Sequence, residues 1–154
     1  MLENQMESDK MIEISEADFP ELPEIAALER EIFPDAWSLK SLETWKQKSA
    51  AIFVAKTKEG MAGYLIFYYV LEEGEIARIA TAHSVRRQGA ASQMFRKLLD
   101  FCREQKITRI MLEVRENNEA ARQFYGKCGF TKDGIRRNYY ENPKENAVLM
   151  SVNL

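Results

Sequence analysis

A chain of 154 residues, 45% hydrophobic and 30% charged, has the length and composition of one ordinary globular domain. Its formal net charge of −2 excludes nucleic-acid binding through a generally basic surface, and leaves room for a positively charged partner at a local acidic patch. Two cysteines, Cys102 and Cys128, in no metal or redox spacing, point to a reduced, cytoplasmic protein without metal.

Residues 1–10 are polar and lack the apolar stretch of a secretory signal, so a frayed tail is expected there, followed by a single domain over 11–154. MIEIS (11–15) alternates apolar and polar residues as a first strand does. From Ala17 to Phe33, Leu22, Ile25, Ala26, Leu28, Glu29 and Ile32 approximate helical spacing, with Pro20 and Pro23 acceptable only in its first turn. FPDAW (33–37) reads as a loop, and Ser38 as the N-cap of a short helix to about Gln47. AIFVAKT (51–57) and MAGYLIFYYVL (61–71) form a hairpin rich in β-branched and aromatic residues. The apolar run inside it, YLIFYYVL, is far below the roughly 20 residues of a membrane span.

EIARIATA (75–82) is a fourth strand, followed by RRQGAASQMF (86–95), which opens a helix to about Gln105 with Ala91, Met94, Phe95, Leu98 and Phe101 or Cys102 along one stripe. TRIMLEVR (108–115) is a fifth strand. NNEAARQFYGKCGF (117–130) is a helix closed by Gly129, and GIRRNYY and NAVLMSV complete an antiparallel pair. Strand, helix and strand around RRQGAASQMF make a βαβ unit, in which ligands dock at the C-terminal ends of strands. A helix start carrying Gly89, Ala90, Ala91 and Ser92 leaves its N–H groups open to an anion, although taken alone such a start is more often plain packing, and the βαβ context is what favours a ligand. A nucleotide-hydrolase phosphate loop is disfavoured, because no Gly-Lys-Ser/Thr follows.

The pattern Arg86-x-x-Gly89-x-Ala91, with LEVRENNEAARQFYGKCGF (112–130) and IRRNYY (135–140), resembles the GNAT N-acetyltransferases, most closely their RimI-type ribosomal-protein-alanine members, over residues 11–152. The resemblance departs at Ala91, where glycine is more usual, and at Ala82-His83, where Asp-Pro is common. It implies a single mixed α/β GNAT domain with about seven strands, splayed between the fourth and fifth, and four helices. It implies acetyl-CoA as co-substrate, its diphosphate held by amides from Arg87 through Gln88 to Ser92, with Arg86 alongside. Its pantetheine arm would lie along Ile79, Ala80 and Thr81.

Glu113 interrupts an apolar strand and shares one face with Arg109, Met111 and Arg115. The residues alone allow a salt-bridged glutamate or a general base; the resemblance implies the base. Tyr125 and Asn118, two helical turns apart, lie close to one face of their helix, with Phe124, Ala120 and Cys128 expected in the core. There the resemblance implies Tyr125 as general acid and Asn118 as a cofactor contact. It also places Trp37 and Tyr139 beside an acceptor that is a protein N-terminal α-amine, specifically a ribosomal alanine. Glu72, Glu73, Glu75, Glu141 and Glu145 are acidic surface for a basic tail. Another amine acceptor, such as lysine, or a CoA-binding module without turnover are the alternatives. His83, the single histidine, reads as a loop residue.

Overall fold

The computed structural model describes residues 11–47, 50–82 and 89–154. The expected tail, and with it His83, Arg86, Arg87 and Gln88, lie outside the described residues. Seven strands form one sheet: β1 (Glu13–Glu16), β2 (Ala50–Thr57), β3 (Gly60–Val70), β4 (Glu73–Thr81), β5 (Arg109–Arg115), β6 (Thr131–Tyr140) and β7 (Glu145–Asn153), in the order β1-β2-β3-β4-β5-β7-β6. The helices among the described residues are α1 (Leu22–Ile32), α2 (Leu39–Gln47), α3 (Ala90–Gln105) and α4 (Glu119–Lys127), with a 3-10 turn at Phe19–Glu21. None of them is long and apolar enough to cross a membrane.

Burial on both faces explains why β2 and β3 read as nearly continuous apolar runs. Ala51, Phe53 and Ala55 of β2, with Leu65 and Phe67 of β3, face Met94, Leu98 and Cys102 of α3. The alternate residues Ile52, Val54, Tyr64 and Ile66 face Leu22, Ile25 and Leu42 from α1 and α2. The period of two thus sends one strand into two cores, one on each side of the sheet.

Local chemistry sets the boundaries. The two prolines of the first helical segment divide between the 3-10 turn (Pro20) and the first turn of α1 (Pro23), so the helix begins later than Ala17. Ser38 caps α2, its Oγ accepting the Ser41 N–H at 3.1 Å. At the other end of the chain, α4 is shorter than the expected 117–130. Asn118 caps it by accepting the Ala121 N–H at 3.1 Å, and Gly129 leaves it with φ +97°, as a left-handed glycine does. In α3 the buried stripe runs Ala90, Met94, Phe95, Leu98 and Cys102, so Ala90 rather than Ala91 turns into the core.

Chain order makes β4 the last strand of an antiparallel meander and β5 the first of the second half. The two are parallel and pair over four rungs only, from Glu73↔Arg109 to Ile76↔Leu112. Beyond Ile76 they part. Gly74 lies in this short seam, and a Cβ there would run into the Phe67 ring, so the close approach of β3 requires glycine.

Candidate active site

The fork between β4 and β5 opens onto a cleft of about 650 Å³, walled by the α1–α2 loop, β4, the end of β5, the start of α4 and the β6–β7 hairpin. On one side the surface it offers is main chain. Past Ile76, β4 continues to pair with β3 as far as Thr81↔Gly63, while β5 keeps only its pairing with β7 through Glu113↔Leu149 and Arg115↔Ala147. Among the described residues, no strand pairs with the edge of Ala77 to Thr81 on the β5 side, and Ile79 lines the cleft. Gly89, exposed and at φ +84°, precedes α3, and no described side chain caps the helix. Its first-turn amides are therefore open to an anion, with Ser92 exposed and Ala91 half-buried beside them. A bare strand edge and a bare helix start fit a long ligand ending in a diphosphate.

Strand alternation turns Ile110, Leu112 and Val114 into the core and leaves Glu113 facing the cleft. Its carboxylate pairs with Arg136 Nη1 at 3.2 Å and lies beside the Tyr139 hydroxyl. The neighbouring Glu113 carboxylate, with burial, raises the Tyr139 pKa above the ordinary phenol value. Tyr125 lines the same cleft from α4 while 95% buried, its ring edge-on to Phe124 and Phe130 at 5.5 and 5.6 Å. Burial pushes its pKa up, so it remains a proton donor at neutral pH. No hydrogen bond to another described residue engages its hydroxyl.

Asn118 also lines the cleft, but its Oδ1 is committed to capping α4. Its amide nitrogen donates to no described residue and is free for a ligand. Phe124 and Cys128 pack partly buried against the core, whereas Ala120, expected with them, is exposed: its position on α4 faces away from the sheet.

The opposite wall is made of side chains. Trp37 stacks on Trp45 with ring centroids 5.4 Å apart and planes 1° from parallel, and Trp45 meets Tyr68 at 4.7 Å. The Tyr68 hydroxyl bonds Glu75; burial and that bond together raise its pKa to about 12. From the hairpin, Tyr139 and Tyr140 meet edge to face at 5.0 Å, and Arg115 lies 4.3 Å over the Tyr140 ring. Arg115 also donates to the carbonyls of Pro143 and Glu141 and to Glu145, clamping the hairpin to the end of β5. Glu145 is thereby withdrawn from the expected acidic surface, since it holds Arg115 and accepts the Asn117 N–H at 2.6 Å. Glu75 and Glu141 do line the cleft, joined by Asp35, whereas Glu72 and Glu73 are exposed at the β3–β4 turn outside it.

Behind the α1–α2 loop lies a group not foreseen from the sequence. Glu29, fully buried, accepts from Tyr64 Oη (2.6 Å) and Arg78 Nε (2.9 Å) on one oxygen. Its other oxygen accepts from Arg78 Nη2 (3.3 Å) and the Trp37 N–H (2.8 Å). Arg78 Nη2 donates further to the Asp35 carbonyl (3.1 Å) and carboxylate (3.3 Å). Two charges in apolar patterns, Glu29 on a helix stripe and Arg78 inside a strand, were the available signal for this pair.

Comparison with known proteins gives a consistent picture. The model of the acetyltransferase (GNAT) family matches residues 12–130. A putative ribosomal protein bS18-alanine N-acetyltransferase of Bacillus subtilis is 29% identical over 136 residues, covering 87% of this chain and 90% of its own length. The ribosomal protein bS18-alanine N-acetyltransferase of Haemophilus influenzae is 31% identical over 145 residues, covering 92% and 97%. Among solved structures, the ribosomal-protein-S18-alanine N-acetyltransferase of Escherichia coli superposes with a TM-score of 0.86 at 29% identity, covering 93% of this chain and 94% of that one.

Proposed function

The chain belongs to the acetyltransferase (GNAT) family and is an N-acetyltransferase using acetyl-CoA; from that premise we propose that its acceptor is a protein N-terminal α-amine, the N-terminal alanine of a small-subunit ribosomal protein. The observation that carries this reading is the convergence of Glu113 from β5 and Tyr125 from α4 on one cleft at the strand fork, between a bare main-chain wall and an aromatic one. The relatives named for alanine acetylation of a ribosomal protein cover nearly the whole chain, which supports the choice of acceptor.

Acetyl-CoA supplies an activated thioester. The described residues suited to hold it are the open edge of Ile79, Ala80 and Thr81, the amides from Gly89 to Ser92, and the Asn118 amide nitrogen. Arg86, Arg87 and Gln88 belong to the same proposal from sequence alone. Attack on the thioester carbon needs a neutral amine, and an α-amine titrates near 7.7–8.0 against about 10.4 for lysine. The difference of roughly 2.5 units spares about 3.4 kcal/mol of deprotonation. One carboxylate is then enough. Glu113 takes the proton the amine releases as the C–N bond forms, and Tyr125 gives its proton to the sulfur as the C–S bond breaks. Trp37 and Tyr139 border the acceptor, and Asp35, Glu75 and Glu141 give its basic residues an acidic surround.

The test is to incubate the protein with acetyl-CoA and a panel of peptides, one beginning with the alanine of the ribosomal protein and others blocked at the N-terminus but carrying lysine. Mass spectrometry should find one acetyl group on the free N-terminal peptide and none on the blocked ones. Acetylation confined to lysine would overturn the assignment of acceptor.

A further inference from the structure

We propose that Arg78 is a positioning residue for the acceptor side of the reaction, holding the α1–α2 loop, and through it Trp37, in register with the strand that carries the cofactor edge. The proposal rests on the reading that the acceptor amine enters this cleft.

Arg78 stands on β4 two residues past the last rung shared with β5, next to Ile79. From that point its guanidinium reaches across to the loop in three ways. It donates to the carbonyl and carboxylate of Asp35 at 3.1 and 3.3 Å, its Cζ lies 3.9 Å over the Phe33 ring, and it lies 5.0 Å over the Trp37 ring. Glu29 completes the arrangement from behind, binding Arg78 in a two-pronged pair and the Trp37 N–H at 2.8 Å. Each Glu29 oxygen receives two hydrogen bonds, so its acceptor capacity is filled. A filled and fully buried carboxylate has nothing left for a ligand. Its donors come from β3, β4 and the loop, which makes it an anchor for all three.

The geometry is specific to arginine. One planar group must serve Glu29, Asp35 and two aromatic rings, and an ammonium has neither the fork nor the flat face. On its exposed side the loop presents Trp37, stacked on Trp45 and so on to Tyr68, as one wall of the cleft. Loosening Arg78 should therefore disturb where the acceptor sits without disturbing the bare main chain that faces acetyl-CoA.

The two tryptophans of the chain are this stacked pair, so intrinsic tryptophan fluorescence reports on this wall alone. Full-length protein is compared with Arg78→Lys and with the double variant Glu29→Gln/Arg78→Met, which removes both charges together and leaves no unpaired carboxylate buried. Three quantities are measured: tryptophan emission, KM and kcat for the N-terminal peptide, and Kd for acetyl-CoA. The expected result in both variants is red-shifted emission and an acceptor KM raised about tenfold, with kcat and acetyl-CoA Kd within about twofold of wild type. Unchanged emission with unchanged acceptor KM would overturn the proposal. So would a fall in kcat and in acetyl-CoA affinity at constant acceptor KM. If both variants fail to fold by far-UV circular dichroism, the network serves stability rather than position, and the proposal falls. A wild-type protein that acetylates no peptide N-terminus strikes instead at the proposed acceptor, and tryptophan emission then judges the tether by itself.

Discussion

Glu29 and Glu113 are both carboxylates set in apolar patterns, and both border the same cleft from behind or within. Around Glu29 every lone pair is met, by a tyrosine, an arginine and a backbone N–H, and the residue is sealed from solvent. Glu113 has one arginine on one oxygen and a tyrosine hydroxyl nearby, and its side chain is 21% exposed to the cleft. The difference lies in what each has left to give. A saturated carboxylate fixes the geometry of its neighbours, whereas an incompletely satisfied one beside a cleft keeps acceptor capacity for a substrate proton.

The sharpest way to break this comparison is to remove each carboxylate and ask which property fails. Glu29→Ala should destabilise the protein by about 3–5 kcal/mol, because Arg78 loses its buried partner and Tyr64 its acceptor. Urea denaturation followed by far-UV circular dichroism measures it. Glu113→Gln should do the opposite, lowering kcat by about a hundredfold or more while changing stability by less than about 1 kcal/mol. If the Glu113→Gln variant turned over at the wild-type rate, the contrast between the two carboxylates would lose its functional half. Tyr125→Phe should likewise lower kcat with acetyl-CoA affinity retained, measured by steady-state kinetics beside isothermal titration.

A gentler probe is alkali. The hydroxyls of Tyr64, Tyr68, Tyr125 and Tyr140 all have pKa values raised above the ordinary 10.0, chiefly by burial. Above about pH 10 the unfolded chain loses these protons and the folded one keeps them, so stability present at neutral pH declines as pH rises through that range. Denaturant midpoints taken between neutrality and about pH 11 should fall, with phenolate absorbance appearing together with unfolding. The smallest effect is expected at Ser38→Ala, which removes the α2 cap and costs about 1 kcal/mol in thermal unfolding.

What is legible in the sequence follows the same division. Strand alternation assigns Glu113 its face, and Gly129 announces the left-handed end of α4, because both are properties of a few adjacent residues. Ala90 reads as open surface and is core, a matter of one helical position that small residues do not report. The Glu29–Arg78 pair joins residues 49 apart, and Trp45 meets Tyr68 only because α2 packs beside β3. Glu145 reads as surface charge as well, and only the folded hairpin brings Arg115 to it. Main-chain sites are written locally; side-chain walls are assembled by topology.

The four-rung seam between β4 and β5 works like the rivet of a pair of tongs. All of the divergence at the mouth is geared from a joint at the foot of the two blades, where Gly74 leaves room for the tip of the Phe67 ring. A methyl group added at Gly74 would act as a wedge at the fulcrum, and a small displacement there would be magnified along both arms to the tips that bear Ile79 and Glu113. Residues far from Ile79 and Glu113 thus set the width of the cleft between them.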